Sequence, residues 1–289
     1  MEMLGLIIAY PALCPCYNQR IMENRNAVRL LAADLDGTLL NDQKELPEGL
    51  NQKLSQLKEK KIAFAACTGR QITNAIHALK GISEDYYLIA ENGSTITHGE
   101  EVLKSVTMSR ADIERIVSFV HTMPNAACML SGSKSFYADA WGMSYLNQLP
   151  YAKYFLIREV EDLFSVDDPI CKITLCDLDD PIKDAATIMK PLAEDYEVSP
   201  SGDSWIDINV KGVNKGAGIR FLQQYLGISK AETIVIGDSG NDVPMFHEGY
   251  AYAMKNAAPA VQKQADEVTE LDNNHAGVLQ IINTLTEGL

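Results

Sequence analysis

Apart from Arg29, residues 28–33 form an apolar run that stops at the string Asp34-Leu35-Asp36-Gly37-Thr38. A short run without polar alternation is what a parallel strand buried on both faces requires. The pattern returns at 62–67, 86–90, 233–237 and 251–254, with helix-period segments between. In the segment 47–60, Pro47 stands near the start and Leu50, Leu54 and Leu57 share one face, which predicts a helix. Further helices are expected over 71–79, 215–226, 259–265 and 278–285. Such alternation predicts an α/β fold, a Rossmann-like parallel-sheet core with helices on both faces and right-handed crossovers. The rhythm changes in the middle of the chain. There a helix over 109–123 is followed by shorter strands at 127–130, 135–138 and 170–176, a helix over 181–195, and a hairpin about Ser201-Gly202-Asp203. The expected division is a discontinuous core, residues 28–107 and 210–289, interrupted by an inserted α+β domain over 108–209. Residues 1–27 lie outside the recognised pattern.

Charge narrows the partners. With 25 Lys+Arg against 39 Asp+Glu, the chain carries a formal net charge of -14. Polyanions attract basic surfaces, so nucleic-acid and anionic-membrane partners are not expected, whereas a small phosphorylated metabolite can still find one local site of the other sign. The six cysteines have neither zinc-ligand spacing nor the density of a disulfide scaffold. Cys67, Cys128 and Cys171 sit in strand-like runs and are expected as buried free thiols in a reducing, cytoplasmic setting. The apolar stretch over 4–10 is too short to span a bilayer, and Glu2 stands where an export signal carries positive charge. It is expected to be a loose extension, with Met22 a possible alternative start. Nothing in the sequence fixes an oligomeric state.

Four clusters carry the chemistry. Asp34 and Asp36 follow the first strand, at the carboxyl edge where open α/β sheets bind ligands, and two close carboxylates favour a cation between them. Gly37 lets the backbone turn there. Thr68-Gly69-Arg70 follows the second strand and opens a helix, so a hydroxyl and free N–H groups can seat a phosphate. Lys215 opens the helix over 215–226, where the helix dipole disfavours a cation; pairing with acidic loops would explain it. Lys211 is the rival. Gly237-Asp238-Ser239-Gly240-Asn241-Asp242 adds two carboxylates at another strand end, hard oxygen ligands that suit Mg²⁺. A serine-hydrolase elbow at Ser239 fails, because Asn241 occupies the position of its last glycine.

In this order and spacing, the four clusters resemble the motifs of the haloacid dehalogenase superfamily of phosphatases. The insertion resembles the large α/β (type IIB) cap of its Cof-type subgroup. Glu91-Asn92-Gly93, Val243-Pro244-Met245-Phe246 and Lys255-Asn256-Ala257 agree with that subgroup. The resemblance implies that Asp34 is a nucleophile forming an aspartyl-phosphate and that Asp36 is the acid and base. It implies Mg²⁺ held by the Asp34 carboxylate, the Asp36 carbonyl and Asp238, with Ser239 or Asp242 nearby. Thr68, Lys215 and Asn241, with N–H groups of Leu35 and Gly69, would hold the phosphoryl oxygens. The cap is expected to choose the substrate, with Lys134, Tyr137 and Trp141 as candidates for its inner face. Two other readings stay open: a phosphosugar-mutase type of phosphotransferase, and a non-catalytic sensor of phosphometabolites.

Overall fold

The computed structural model describes residues 27–123, 126–148, 156–177, 191–201 and 205–286. The core strands are β1 (Leu30–Asp34), β2 (Ala63–Cys67), β3 (Tyr87–Ala90), β4 (Thr95–His98) and β5 (Glu101–Ser105). After the insertion come β12 (Thr233–Gly237), β13 (Tyr250–Ala253) and β14 (Glu267–Val268). They form one eight-stranded sheet in the order β14-β13-β12-β1-β2-β3-β4-β5. Pairing is parallel from β14 to β3 and antiparallel from β3 through β4 to β5.

The reason β1 reads as an apolar run lies in the two layers that cover it. Leu31 and Ala33 join a core with Leu50, Leu54 and Leu57 of helix Leu50–Glu59 and Ile281 and Ile282 of helix Gly277–Thr286. Leu30 and Ala32 point the opposite way, against Ile219 and Leu222 of helix Lys215–Leu226 and Phe246. Successive side chains of a strand face opposite sides, so both parities must be apolar. Truncating a fully buried residue such as Leu57 would cost about 2–5 kcal/mol.

Between β5 and helix Lys215–Leu226 lies the inserted α+β cap, built on β6 (Ala126–Gly132), β7 (Phe136–Ala138), β8 (Ile157–Glu159), β9 (Ile170–Asp177), β10 (Tyr196–Pro200) and β11 (Trp205–Val210). These form a second sheet, β10-β11-β9-β6-β7-β8, antiparallel except for the β7–β8 pair. One face is apolar and packs under helix Arg110–Val120: Leu130, Ile173, Leu175, Ile206 and Ile208 meet Ile113, Ile116 and Val120. The opposite face carries Ser131, Lys172, Thr174 and Asp207 and looks onto the core.

The apolar runs and helices of the core fall where the sequence predicts, with ends shifted by a few residues. The β4–β5 hairpin is an addition, so the sheet is mixed at that edge. Cys67, Cys128 and Cys171 are free and buried, as is Cys176. The extension over 1–26, most of the helix expected over 181–195, and the hairpin tip at Gly202 and Asp203 lie outside the described residues. Among the described residues no helix is long and apolar enough to cross a membrane.

Candidate active site

β1 and β12 lie side by side and parallel, Ala33 opposite Ile236, so the loops leaving their carboxyl ends emerge together. Asp34 closes β1 and is buried. The following loop turns at Gly37, whose φ is +78°; a Cβ there would stand 2.4 Å from Asp238 Oδ2. Glycine therefore meets both the backbone conformation and the close approach of the two loops. Thr38 Oγ1 ties them by donating to Asp238 Oδ1 at 2.8 Å.

Lys215 enters from the start of its helix, where Asn214 provides the cap by accepting from the Ala217 N–H. Its side chain is 1% exposed, and Nζ lies 2.6 Å from both Asp34 Oδ1 and Asp242 Oδ1. These pairs answer the dipole objection: two carboxylates hold an ammonium that the helix end alone would repel. Burial would pull the Lys215 pKa down, but Asp242 and Asp34 hold it well above its ordinary value. Asp242 is held in place as well, since its Oδ2 accepts from the N–H groups of Asp238 and Ser239 at 2.9 Å. Lys211, the rival, is exposed and donates to the carbonyls of Ala193 and Tyr196 in the cap.

Three carboxylates thus face one ammonium. Burial pushes Asp34 well above the usual carboxylate range; Lys215 opposes the shift, and Asp242 and Asp238 add to it. Asp238 is pushed up to about 7, by burial first and then by Asp242. One oxygen from each of Asp34, Asp238 and Asp242 lies within 4.8 Å of the others. A further cation would relieve that repulsion, and an all-oxygen donor set fits a hard ion of the Mg²⁺ kind.

Asp36 has different company. Arg70 grips it through Nε and Nη2, both at 2.6 Å, and Lys44 Nζ lies 2.7 Å from Oδ1. Burial would raise its pKa, but Arg70 and then Lys44 hold the carboxyl well below the usual range. Across the cavity Thr68 is buried and accepts from the Arg70 N–H through Oγ1. Asp34, Asp36, Thr68, Gly69, Lys215, Asp238, Ser239 and Asn241 all line one cavity of about 310 Å³. Asp242 stands behind it, and the Leu35 side chain belongs to the core.

The roof differs from expectation. Tyr137 faces the helix side of the cap, where its hydroxyl donates to Asp168. Lys134 donates its backbone N–H to the same carboxylate, and Trp141 donates Nε1 to the Ala126 carbonyl. None of the three lines the cavity; Ser131, Phe136, Lys172, Thr174, Ser201, Trp205 and Asp207 do. Strand parity is the reason, since Phe136 and Tyr137 are neighbours that point to opposite faces. The alternation Trp205-Ile206-Asp207-Ile208-Asn209 was the signal that could have found this wall. Lys172 Nζ lies 3.0 Å from Asp207 Oδ1 and 3.8 Å from Glu91 Oε2, and donates to the Gly69 carbonyl of the core. Glu91 is completely buried and is pushed up to about 8 by burial, against the pull of Lys172.

A mostly parallel α/β sheet with acids, a buried lysine and hydroxyl and amide groups at its carboxyl edge, roofed by an inserted cap, defines a hydrolase of phosphoryl groups. The chain belongs to the haloacid dehalogenase-like hydrolases, whose family profile matches residues 31–282. It is a phosphatase of the Cof type. A relative from Escherichia coli (strain K12), the 5-amino-6-(5-phospho-D-ribitylamino)uracil phosphatase YbjI, is 29% identical over 261 residues, covering 89% of this chain and 96% of its own. An HMP-PP phosphatase from Escherichia fergusonii is 28% identical over 239 residues, covering 82% of this chain and 87% of its own. The solved structure of the subclass IIB sugar phosphatase BT4131 shares the fold, with a TM-score of 0.76 at 20% identity over 89% of this chain and 98% of that one.

Proposed function

We propose that the chain is a Mg²⁺-dependent phosphatase of small phosphorylated metabolites, sugar phosphates or related cofactor phosphates, working through an aspartyl-phosphate on Asp34. The observation that carries this reading is the buried Lys215 ammonium, 2.6 Å from Asp34 and from Asp242, at the floor of a cavity that Thr68, Gly69 and Asn241 also line. The relatives support the substrate class: one acts on a phosphorylated ribitylaminouracil and another on HMP-PP, by their names. We place the cap at 108–209 and the core at 28–107 and 210–289. The buried free thiols suit a cytoplasmic setting.

In the first step an Asp34 oxygen attacks phosphorus, the bond to the leaving oxygen breaks, and Asp36 gives that oxygen a proton. In the second, Asp36 takes a proton from water, the water oxygen attacks phosphorus, and the Asp34–phosphorus linkage breaks to release inorganic phosphate. Lys215, Thr68, Asn241 and the N–H groups of Leu35 and Gly69 hold the phosphoryl oxygens, where charge spreads during transfer. When bound, Mg²⁺, held by Asp34, the Asp36 carbonyl and Asp238 with Ser239 or Asp242 alongside, offsets the repulsion between carboxylate and phosphate. The Arg70 and Lys44 contacts keep Asp36 ionised, the form that the second step needs. They must open for Asp36 to act as the acid.

The test is phosphate release from a panel of phosphorylated metabolites in magnesium buffer, without a bisphosphate activator, for the wild type and Asp34→Asn. Release by the wild type and none by the folded variant is expected. Movement of the phosphoryl group to a second sugar would favour a mutase, tight binding without turnover a sensor, and an active Asp34→Asn protein would refute the mechanism.

A further inference from the structure

Asn92 lies between the cap and the core and touches both. Its Nδ2 donates to Asp207 Oδ2 at 2.7 Å, and its Oδ1 accepts from Asn241 Nδ2 at 3.2 Å. All three side chains are buried. The backbone is shaped to put the amide there, with φ of 54°, 55° and 100° at Glu91, Asn92 and Gly93. The N–H groups of Glu91 and Asn92 donate to the carbonyls of Arg70 and Thr68, which fixes the segment to the phosphate-seat loop. Gly69 leaves the room: a Cβ there would stand 3.0 Å from Asn92 Oδ1 and 3.2 Å from Asp207 Oδ2.

The direction of this chain of hydrogen bonds is set from the cap. An amide can be turned end for end, but a carboxylate only accepts. Asp207 Oδ1 takes Thr174 Oγ1 at 2.8 Å and Lys172 Nζ at 3.0 Å, and Oδ2 faces Asn92. Asn92 must therefore turn its NH₂ to the cap and its oxygen to Asn241. Asn241 must in turn offer its own NH₂, whose second hydrogen is left for a ligand. Turning Asn241 over would set two carbonyl oxygens against each other.

The geometry points to Asp207 and Asn92 as positioning residues: the cap carboxylate, acting through Asn92, orients the Asn241 amide to donate to the phosphoryl group. This rests on the assignment of Asn241 to the phosphoryl oxygens made above. A cap residue thereby strengthens the binding of a group it does not touch. A hydrogen bond to a charged group, lost by misorientation, changes affinity by roughly ten- to a hundredfold.

Inorganic phosphate is the discriminating probe, because it has no leaving group to meet the cap. Its inhibition constant would be measured in magnesium buffer, against an aryl phosphate substrate, for Asp207→Asn, Asn92→Gly and the double variant. Glycine keeps the left-handed backbone that Asn92 adopts, and circular dichroism and thermal melts identify folded protein. Each single variant should weaken inhibition roughly tenfold or more, and the double variant should lose no more than either one, as expected of links in series. Unchanged phosphate inhibition in folded single variants overturns the proposal, as do additive losses in the double variant. The same holds for an Asp207→Asn effect confined to the KM of substrates with large leaving groups. Asn241→Ala separates the levels. If it leaves phosphate inhibition intact, the site assignment fails; if it alone weakens inhibition, only the relay fails.

Discussion

Glu91 stands wholly buried beside the cavity, with no hydrogen bond at Oε2 and the Lys172 ammonium 3.8 Å from it. Replacing it with glutamine keeps its shape and the acceptor for the Ile72 N–H while removing the proton. Burial, opposed by Lys172, raises its pKa from 4.5 to about 8. The folded protein therefore keeps a proton that the unfolded chain releases near 4.5. Stability must fall as pH rises through that window and level off above about 8. At about 1.36 kcal/mol for each tenfold change, the full window corresponds to about 5 kcal/mol and its midpoint, near pH 6.5, to roughly half. Glu91→Gln lacks this penalty, so its stability advantage over the wild type should be small at pH 5 and grow to several kcal/mol at pH 8.5. Urea melts of both proteins at pH 5.0, 6.5 and 8.5, with chelator present, measure the difference, from which the shared titrations of the aspartate cluster cancel. Parallel pH profiles for the two proteins would refute the assignment of a protonated, desolvated carboxyl to this site.

Other tests bear on the cluster itself. Lys215→Met leaves Asp34 and Asp242 buried without their shared cation, which should cost about 3–5 kcal/mol and abolish phosphate release. Lys211→Met should stay within about 1 kcal/mol of the wild type and remain active, and equal damage from both would contradict the choice of lysine. Titrating magnesium into chelator-treated protein at pH 6.5 should release protons, because Asp34 and Asp238 both hold them more tightly than ordinary carboxylates. Apparent affinity should then rise from pH 6 to pH 8; calorimetry in two buffers of different ionisation enthalpy reads both, and binding without proton release would exclude these ligands.

The core was legible because the two-layer burial of β1, β2 and β12 leaves few other sequences possible, and because the chemistry lies directly at the strand ends. The β4–β5 hairpin was not, since buried Thr95 and Thr97 interrupt β4 and Glu101 and Lys104 lie on the edge strand β5, so neither strand carries a continuous apolar signal. Lys44 escaped because it meets Asp36 across an irregular loop, where no periodicity relates them. Glu91 and Asn92 stood out only as part of the string Glu91-Asn92-Gly93 that agrees with the subgroup, which gives them no partners, and Lys172, Asp207 and Asn241 are distant in sequence. The cap wall was missed for another reason: Lys134, Tyr137 and Trp141 were singled out by residue type, whereas strand parity decides which side chains face the cavity.

That parity has a consequence for how such an enzyme can change its diet. Along β6, β9 and β11 the residues packed under helix Arg110–Val120 alternate with those of the face that lines the cavity. Exchanging Ser131 alters the wall of the cavity and leaves Leu130, Ile173, Leu175 and Ile208 under their helix undisturbed, whereas Phe136 and Trp205 also pack with Met129, Tyr145 and Leu146. Lys172 and Asp207 share that wall but are tied to Gly69 and Asn92, so they mark where such variation must stop.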